Sequence, residues 1–157
     1  MEVRRIMSSP VFTIKGDASL REAAKMMAAH RVSGLPVVDD NERVIGIISE
    51  SDLVQYAQKM RAVPVRDPWS FWVWPYVEIS DLAVFRRGLE EISKTPVREI
   101  MNKNVLTVPE NKSLDEVARL MISKRINRVP VVDDAGRARG IVTRADIVRY
   151  MAEYHVD

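Results

Sequence analysis

Residues 140–148 read Gly-Ile-Val-Thr-Arg-Ala-Asp-Ile-Val, and residues 46–54 read Gly-Ile-Ile-Ser-Glu-Ser-Asp-Leu-Val. In both stretches a glycine and branched apolar residues lead to a hydroxyl residue, and an aspartate follows three places later. A hydroxyl residue at the N-cap and an acid at the third helical position form a capping box. Each stretch, which we call a hook, therefore predicts a buried strand that runs into the first turn of a helix.

The hooks also carry groups that suit a ribonucleotide. The N-terminus of a helix presents N–H groups without intrahelical partners and attracts phosphate. Asp52 and Asp146 would repel phosphate there, but two carboxylate oxygens suit the neighbouring hydroxyls of a ribose. Helix capping alone also explains each hook, so it is the repetition of the pattern that favours a binding role.

The hooks belong to a longer internal repeat with an offset of 94 residues. Residues 3–56 match residues 97–150 without a gap, with 23 identities in 54 positions. A fixed period of this kind indicates one structural unit used twice. Because a copy of about 55 residues buries only a marginal core, we expect the two copies to pack together with pseudo-two-fold symmetry.

Each copy predicts the element order β-α-β-β-α, which is an α+β layer arrangement. Short helical turns are expected at 3–7 and 97–101, and strands at 11–14, 35–38, 44–48, 105–108, 129–132 and 138–142. Helices begin after Ser19 and Ser113, with capping boxes closed by Glu22 and Glu116. The last helix of each copy begins after the hydroxyl residue of its hook.

The two copies are separated by a different kind of segment. We assign residues 1–60 to the first repeat, 61–94 to an insert and 95–157 to the second repeat. The insert predicts a helix at 81–94 that ends before Pro96. Five of its aromatic residues lie within eight positions, namely Trp69, Phe71, Trp72, Trp74 and Tyr76. They are interpreted as a plug or cap on the core, or alternatively as a dimer or partner surface; a membrane-surface anchor is less favoured.

The composition is that of a globular protein, with 46% hydrophobic and 29% charged residues in 157. The chain has no cysteine, which excludes disulfides and a thiolate nucleophile and fits the reducing cytoplasm that we expect. No apolar run approaches about 18 residues, so no transmembrane helix is expected. The net charge of +2 does not require a nucleic-acid partner.

No catalytic or metal-binding motif is evident. The glycines build neither a dinucleotide fingerprint nor a P-loop, and there is no G-x-S-x-G elbow. His30 is interpreted as a surface cation at a helix end, and with only His155 besides it no zinc site of familiar spacing is expected. The acids at 39–40 and 133–134 fit turns better than a metal site. We therefore expect no enzyme, no metal and no required cofactor.

The hooks, the sequence RVSGLPVVD at 31–39 and the sequence RVPVVD at 128–133 together resemble a tandem pair of cystathionine-β-synthase (CBS) domains. The resemblance covers both copies and not the insert. It implies a disc-like module with two composite clefts related by pseudo-two-fold symmetry. It also implies an adenosine ligand, commonly AMP, ADP or ATP and sometimes S-adenosylmethionine.

Carried over residue by residue, the resemblance implies two sets of nucleotide-binding residues. One cleft would be formed by Thr143, Ala145 and Asp146 with Phe12, Val32, Ser33 and Gly34, and Arg144 is added because it stands on the hook. The other would be formed by Ser49, Ser51 and Asp52 with Leu106, Ile126, Asn127 and Arg128. The aspartates would bind ribose, the hydroxyl residues and arginines would meet phosphate, and apolar side chains would enclose adenine.

The resulting hypothesis is a regulatory sensor of adenine nucleotides that forms a homodimer and acts on an unknown partner protein. The alternatives are a structural or interaction module with unoccupied clefts, and binding of S-adenosylmethionine or, less favoured, nucleic acid. The hook at 143–146 carries no net charge and the hook at 49–52 carries −2. We therefore expect the Asp146 cleft to hold phosphate better, with Arg128 as the opposing contribution in the Asp52 cleft.

Overall fold

The computed structural model describes residues 1–60 and 79–154. The first repeat contains β1 (Ile14–Lys15), α1 (Leu20–His30), β2 (Gly34–Val38), β3 (Val44–Ser49) and α2 (Glu50–Lys59), followed by α3 (Ile79–Ser93). The second repeat contains β4 (Val108–Pro109), α4 (Leu114–Lys124), β5 (Arg128–Val132), β6 (Ala138–Thr143) and α5 (Arg144–Glu153). Each repeat begins with a short 3-10 helix, Val3–Arg5 in the first and Val97–Glu99 in the second. The α+β class and the β-α-β-β-α order of each repeat are thereby confirmed.

The helix predicted at 81–94 is present as α3, whereas the aromatic residues of the insert lie outside the described residues. The first strand of each repeat is shorter than predicted. Only Ile14–Lys15 and Val108–Pro109 pair with a neighbouring strand, so the branched residues before them lie in irregular backbone.

Each repeat folds into a three-stranded sheet. The first strand runs parallel to the second, and the second pairs with the third in antiparallel fashion. This register sets Gly34 opposite Ser49 in one sheet and Arg128 opposite Thr143 in the other. The hydroxyl residue of each hook therefore lies beside the first residue of the middle strand.

The two sheets are related by pseudo-two-fold symmetry, which their backbone contacts follow closely. The bridge between Ser8 and Ile141 has its equivalent between Asn102 and Ile47. The bridge between Arg43 and Arg137 joins equivalent positions and therefore lies at the symmetry axis. The pairing predicted from the repeat is thus present at the level of single hydrogen bonds.

The repeats exchange their 3-10 segments. Val3 is fully buried in the core of the second repeat, and its amide donates to the carbonyl of Lys112 at 2.8 Å. Val97 is fully buried in the core of the first repeat, and its amide donates to the carbonyl of Ala18 at 2.8 Å. Neither repeat therefore has a complete core of its own.

The exchanged segments explain the glycine that opens each hook. A Cβ at Gly140 would lie 2.5 Å from Sδ of Met7 and 3.1 Å from the backbone oxygen of Ser8. A Cβ at Gly46 would meet the equivalent residue Met101 at 2.6 Å. The crossing backbone approaches the hook so closely that there is no room for a side chain.

Three of the four predicted capping boxes are present, at Ser19, Ser49 and Thr143. The box predicted at Ser113 is wrong, because its hydroxyl makes no capping hydrogen bond. Glu116, which would close that box, instead pairs with Lys112 at 3.2 Å. The backbone of Ser113 is also bridged to Glu2 of the exchanged segment, which anchors the start of α4 by other means.

Candidate functional site

A cleft of about 670 Å³ opens between the second hook and the first repeat. We call it the Asp146 cleft. Its lining residues are Ser8, Pro10, Val11, Phe12, His30, Arg31, Val32, Ser33, Gly34, Asn127, Arg128, Ile141, Thr143, Arg144, Ala145 and Asp146. The structure thus brings together all eight residues that the resemblance implies for this cleft.

Asp146 is the buried acid of the cleft, with 5% of its surface exposed. Its Oδ2 accepts hydrogen bonds from the amide and the hydroxyl of Thr143, at 2.8 and 2.9 Å. Its Oδ1 accepts a hydrogen bond from Nη2 of Arg149, a residue that the sequence reasoning missed. One carboxylate oxygen is therefore used in helix capping, and the other is paired with Arg149.

An aromatic pair lies across the cleft from the hook. The rings of Phe12 and His30 are stacked, and Phe12 remains 41% exposed. His30 ends α1, where Arg31 takes the left-handed backbone conformation at φ 53°. The interpretation of His30 as a surface cation missed its contact with Phe12, since nothing in its helical position signals the stack. Aromatic rings of this kind can hold a nucleobase by stacking.

Arg128 crosses from the second repeat to the first. Its Nη2 donates a 2.7 Å hydrogen bond to Oγ of Ser33. The side chain passes over Gly34, where a Cβ would lie 2.7 Å from its Cδ. Burial lowers the pKa of the Arg128 guanidinium, while the negative charges of Asp52 and Glu50 raise it in part.

Asn127 and Arg128, which the resemblance assigned to the Asp52 cleft, are also part of the lining of the Asp146 cleft. Asn127 accepts a 2.6 Å hydrogen bond from Nη1 of Arg144 through its side-chain oxygen, which holds Arg144 at the cleft.

The lining of the Asp146 cleft has an excess of positive charge. Arg31, Arg128 and Arg144 contribute three cations, and Asp146 contributes one anion. The cleft also contains the N-terminus of α5, whose dipole favours negative charge. This arrangement suits an anionic ligand.

The Asp52 hook repeats the geometry with different neighbours. Oδ2 of Asp52 accepts hydrogen bonds from the amide and hydroxyl of Ser49, at 2.8 and 3.0 Å. Five of the predicted residues lie outside the lining of the Asp146 cleft, namely Ser49, Ser51, Asp52, Leu106 and Ile126. Ile126 packs partly against the second core, and Leu106 is 37% exposed.

The paired acids at 39–40 and 133–134 act as predicted, in turns. Oδ1 of Asp133 accepts backbone hydrogen bonds from Ala135 and Arg137, and Asp39 has equivalent bonds. Within residues 1–60 and 79–154, no cluster of three or more acids and histidines is close enough to hold a metal ion. In the same ranges, every helix is too short or too polar to cross a membrane.

The family model of the CBS domain matches residues 3–59 and 97–153, and the chain therefore belongs to the CBS domain family. Protein MJ1426 of Methanocaldococcus jannaschii is 30% identical over 152 residues, which cover 94% of this chain and 89% of MJ1426. The CBS domain pair of protein MJ0100, solved with 5′-methylthioadenosine and S-adenosyl-L-methionine, has a TM-score of 0.72 and 31% identity, covering 97% of this chain and 96% of the other.

A second solved structure carries a different adenosine ligand. CBSX2 of Arabidopsis thaliana in complex with AMP has a TM-score of 0.69 and 25% identity, covering 97% of this chain and 96% of that chain. In sequence the match to the whole CBSX2 protein covers 56% of its length, so this chain spans little more than half of that relative. Members of the family thus bind adenosine compounds of different charge.

Proposed function

We propose that this protein is a regulatory module that binds an adenine nucleotide, AMP, ADP or ATP, in the Asp146 cleft. The observation that supports this most directly is the meeting of an aromatic pair, a buried carboxylate and three arginines in one cleft. A volume of about 670 Å³ lies within the range of about 300–1,000 Å³ usual for small-molecule sites. In this proposal the rings of Phe12 and His30 contact adenine, and Asp146 binds ribose.

The charge of the cleft favours a phosphorylated ligand over S-adenosylmethionine. The sulfonium group of that compound is a cation, and it would be placed among Arg31, Arg128 and Arg144. A phosphate would instead accept hydrogen bonds from those guanidinium groups, which are among the stronger kinds in proteins. The N-terminus of α5 adds to the same preference.

A thermal-shift panel tests the proposal. It contains AMP, ADP, ATP, adenosine, S-adenosylmethionine and a single-stranded oligonucleotide, each at millimolar nucleoside concentration. A ligand at about 100 times its Kd adds roughly 2.7 kcal/mol of stability, which raises the Tm of a domain of this size by several degrees. No shift with AMP, ADP or ATP would overturn the adenine-nucleotide assignment, and a shift with S-adenosylmethionine alone would replace it.

We also propose a homodimer that is formed through the helices of the second repeat. Ile122 on α4 with Val148 and Met151 on α5 are apolar side chains that remain between 64% and 78% exposed. Cyclic dimers are the commonest closed assembly, and burial of apolar surface is their usual driving force. Sedimentation of the full chain at tens of micromolar should show a dimer, and Val148→Glu should shift it to monomer. A wild-type monomer contradicts this assembly.

The exchanged segments support the proposed regulatory role. Ser8 lines the Asp146 cleft, while Val3 of the same segment is buried in the second core. A ligand that tightens the cleft would therefore act on both repeats, and through them on a partner protein. Hydrogen exchange with and without AMP tests this, because protection should increase in α4 as well as in the cleft. Protection confined to the lining residues would argue against transmission.

A further inference from the structure

Two equivalent residues at the pseudo-two-fold axis differ in a way that joins the two clefts. Gly34 and Arg128 occupy the same position in their repeats, each opposite the hydroxyl residue of its own hook. Gly34 has no side chain, and the Arg128 side chain fills the space above it, so closely that any Cβ at Gly34 would lie 2.7–3.0 Å from its outer atoms. One guanidinium thus occupies a space that two side chains could not share.

Arg128 faces both hooks from this place. On one side it lines the Asp146 cleft and donates to Ser33 Oγ at 2.7 Å. On the other side it packs over Gly34, which pairs with Ser49 of the opposite hook, and the negative charges of Asp52 and Glu50 in that hook raise the pKa of its guanidinium. The backbone joins these sides directly, because the carbonyl of Ser33 accepts a 2.9 Å hydrogen bond from the amide of Glu50.

The charges around Arg128 determine how a ligand in one cleft affects the other cleft. The Asp146 hook is electrically balanced by Arg144, whereas the Asp52 hook carries two acids and no base. A phosphate near the Asp146 hook would draw the guanidinium towards itself. The Asp52 hook would then keep its two negative charges with less compensation, and it would repel a second phosphate. An uncharged adenosine compound would feel no such effect.

We propose that Arg128 is one cation shared by both clefts, so that a phosphorylated nucleoside bound in one cleft weakens phosphorylated-nucleoside binding in the other. This inference rests on the proposed function and adds a rule for mixed occupancy. The Asp52 cleft takes an uncharged or cationic adenosine compound when the Asp146 cleft holds a nucleotide. The occupancy of the two clefts therefore depends on the combination of ligands that is present.

Calorimetry with AMP and with adenosine tests the sharing. Ala145→Tyr and Ser51→Tyr stand at equivalent, exposed hook positions and fill one cleft each without changing any charge. Each blocked variant gives the Kd of the cleft that remains open. The product of these two values, the single-cleft product, is compared with the product of the two stepwise Kd values of the wild type. This comparison does not require knowing which cleft fills first.

For AMP the wild-type product should exceed the single-cleft product by about 10- to 100-fold, the range of one charged hydrogen bond. For adenosine the two products should agree within a factor of about 3, close to the usual limit of additivity for independent sites. Arg128→Gln should bring the AMP products into agreement. Gly34→Ala, which displaces the same side chain without removing its charge, should reduce the excess.

Arg119→Gln is the control, because Arg119 pairs with exposed Asp115 at 2.9 Å on the surface of α4. It removes one positive charge and should leave the AMP excess unchanged. Equal products for AMP in the wild type, or an excess that persists in both Arg128→Gln and Gly34→Ala, would overturn the sharing. Failure of the wild type to bind AMP at all would instead overturn the proposed function.

Discussion

The rings of Phe12 and His30 lie face to face in the Asp146 cleft, with 3.8 Å between their centroids and 11° between their planes. The equivalent residues of the other repeat are Leu106 and Lys124, which cannot form such a stack. The aromatic surface is therefore a property of one cleft, and it distinguishes two sites that share the same hook geometry.

Phe12→Ala should weaken AMP binding in the Asp146 cleft by about 10-fold or more, since stacking of one base on an aromatic ring contributes roughly 1–3 kcal/mol. Leu106→Ala is the matched truncation in the other repeat and should leave that binding event unchanged. Both side chains are substantially exposed, so neither variant should lose its fold. Calorimetry separates the cases, and an unchanged Kd in Phe12→Ala would exclude the ring from the site.

Asp146→Asn should weaken the tighter AMP binding event by about 10- to 100-fold, because a charged acceptor for ribose becomes neutral. Asn keeps a side-chain oxygen for the amide of Thr143, so the capping contact is largely preserved. Asp52→Asn is the equivalent change in the other hook and should act chiefly on the weaker event. If Asp52→Asn removes the tighter event instead, the ranking of the clefts by hook charge is wrong.

Val3→Ala and Val97→Ala should each lower the free energy of unfolding by about 1–3 kcal/mol, since each removes a fully buried branched side chain from the opposite repeat. Both should leave a single cooperative transition in urea. Val54→Ala is the control, because Val54 is 64% exposed and should change stability by less than about 0.5 kcal/mol. Loss of one repeat while the other stays folded would contradict the shared cores.

Backbone hydrogen bonds from the turn, first among them that of Arg137, hold the pKa of Asp133 below its ordinary value of 3.8. The unfolded chain therefore takes up this proton at higher pH than the folded protein. The resulting stabilisation is fully present above about pH 5 and is lost as the pH falls through the folded pKa.

Asp133→Asn should remove this contribution, so that its unfolding free energy depends less steeply on pH between about 5 and 3. Asp134→Asn removes the same charge from the next residue and leaves the turn hydrogen bonds in place. Urea unfolding at several pH values compares the two. Equal slopes for both variants would show that the turn bonds do not set the acid dependence.

Much of the fold could be predicted because the 94-residue repeat and the helix-capping signals are local properties of the sequence. The exchange of the 3-10 segments could not, since Val3 and Val97 are short apolar signals that do not specify which core they enter. The error at Ser113 has the same origin. Its predicted partner Glu116 forms an ion pair with Lys112 instead. The backbone of Ser113 is bridged to Glu2, which is so distant in sequence that no local pattern reveals the contact.

The residues of the Asp146 cleft could be collected from their sequence positions, but their contacts could not. The direction of the Arg128 side chain depends on the free space above Gly34, which becomes apparent only when the two repeats are superimposed on their axis. His30 was interpreted as a surface charge at a helix end, and no local pattern singled out Arg149. Their roles depend on Phe12 and Asp146, which approach them through the packing of separate elements.

Val3 and Val97, each buried in the core of the opposite repeat, also constrain how such a chain could have arisen. A polypeptide with a single repeat would carry its N-terminal valine without a pocket of its own, and it would complete its core by trading that segment with a second polypeptide. Gene duplication and fusion would then convert a segment exchange between two chains into a segment exchange within one chain. The same buried valine at both crossings fits that history, and Gly34 and Arg128 stand at one of the positions where the two copies differ.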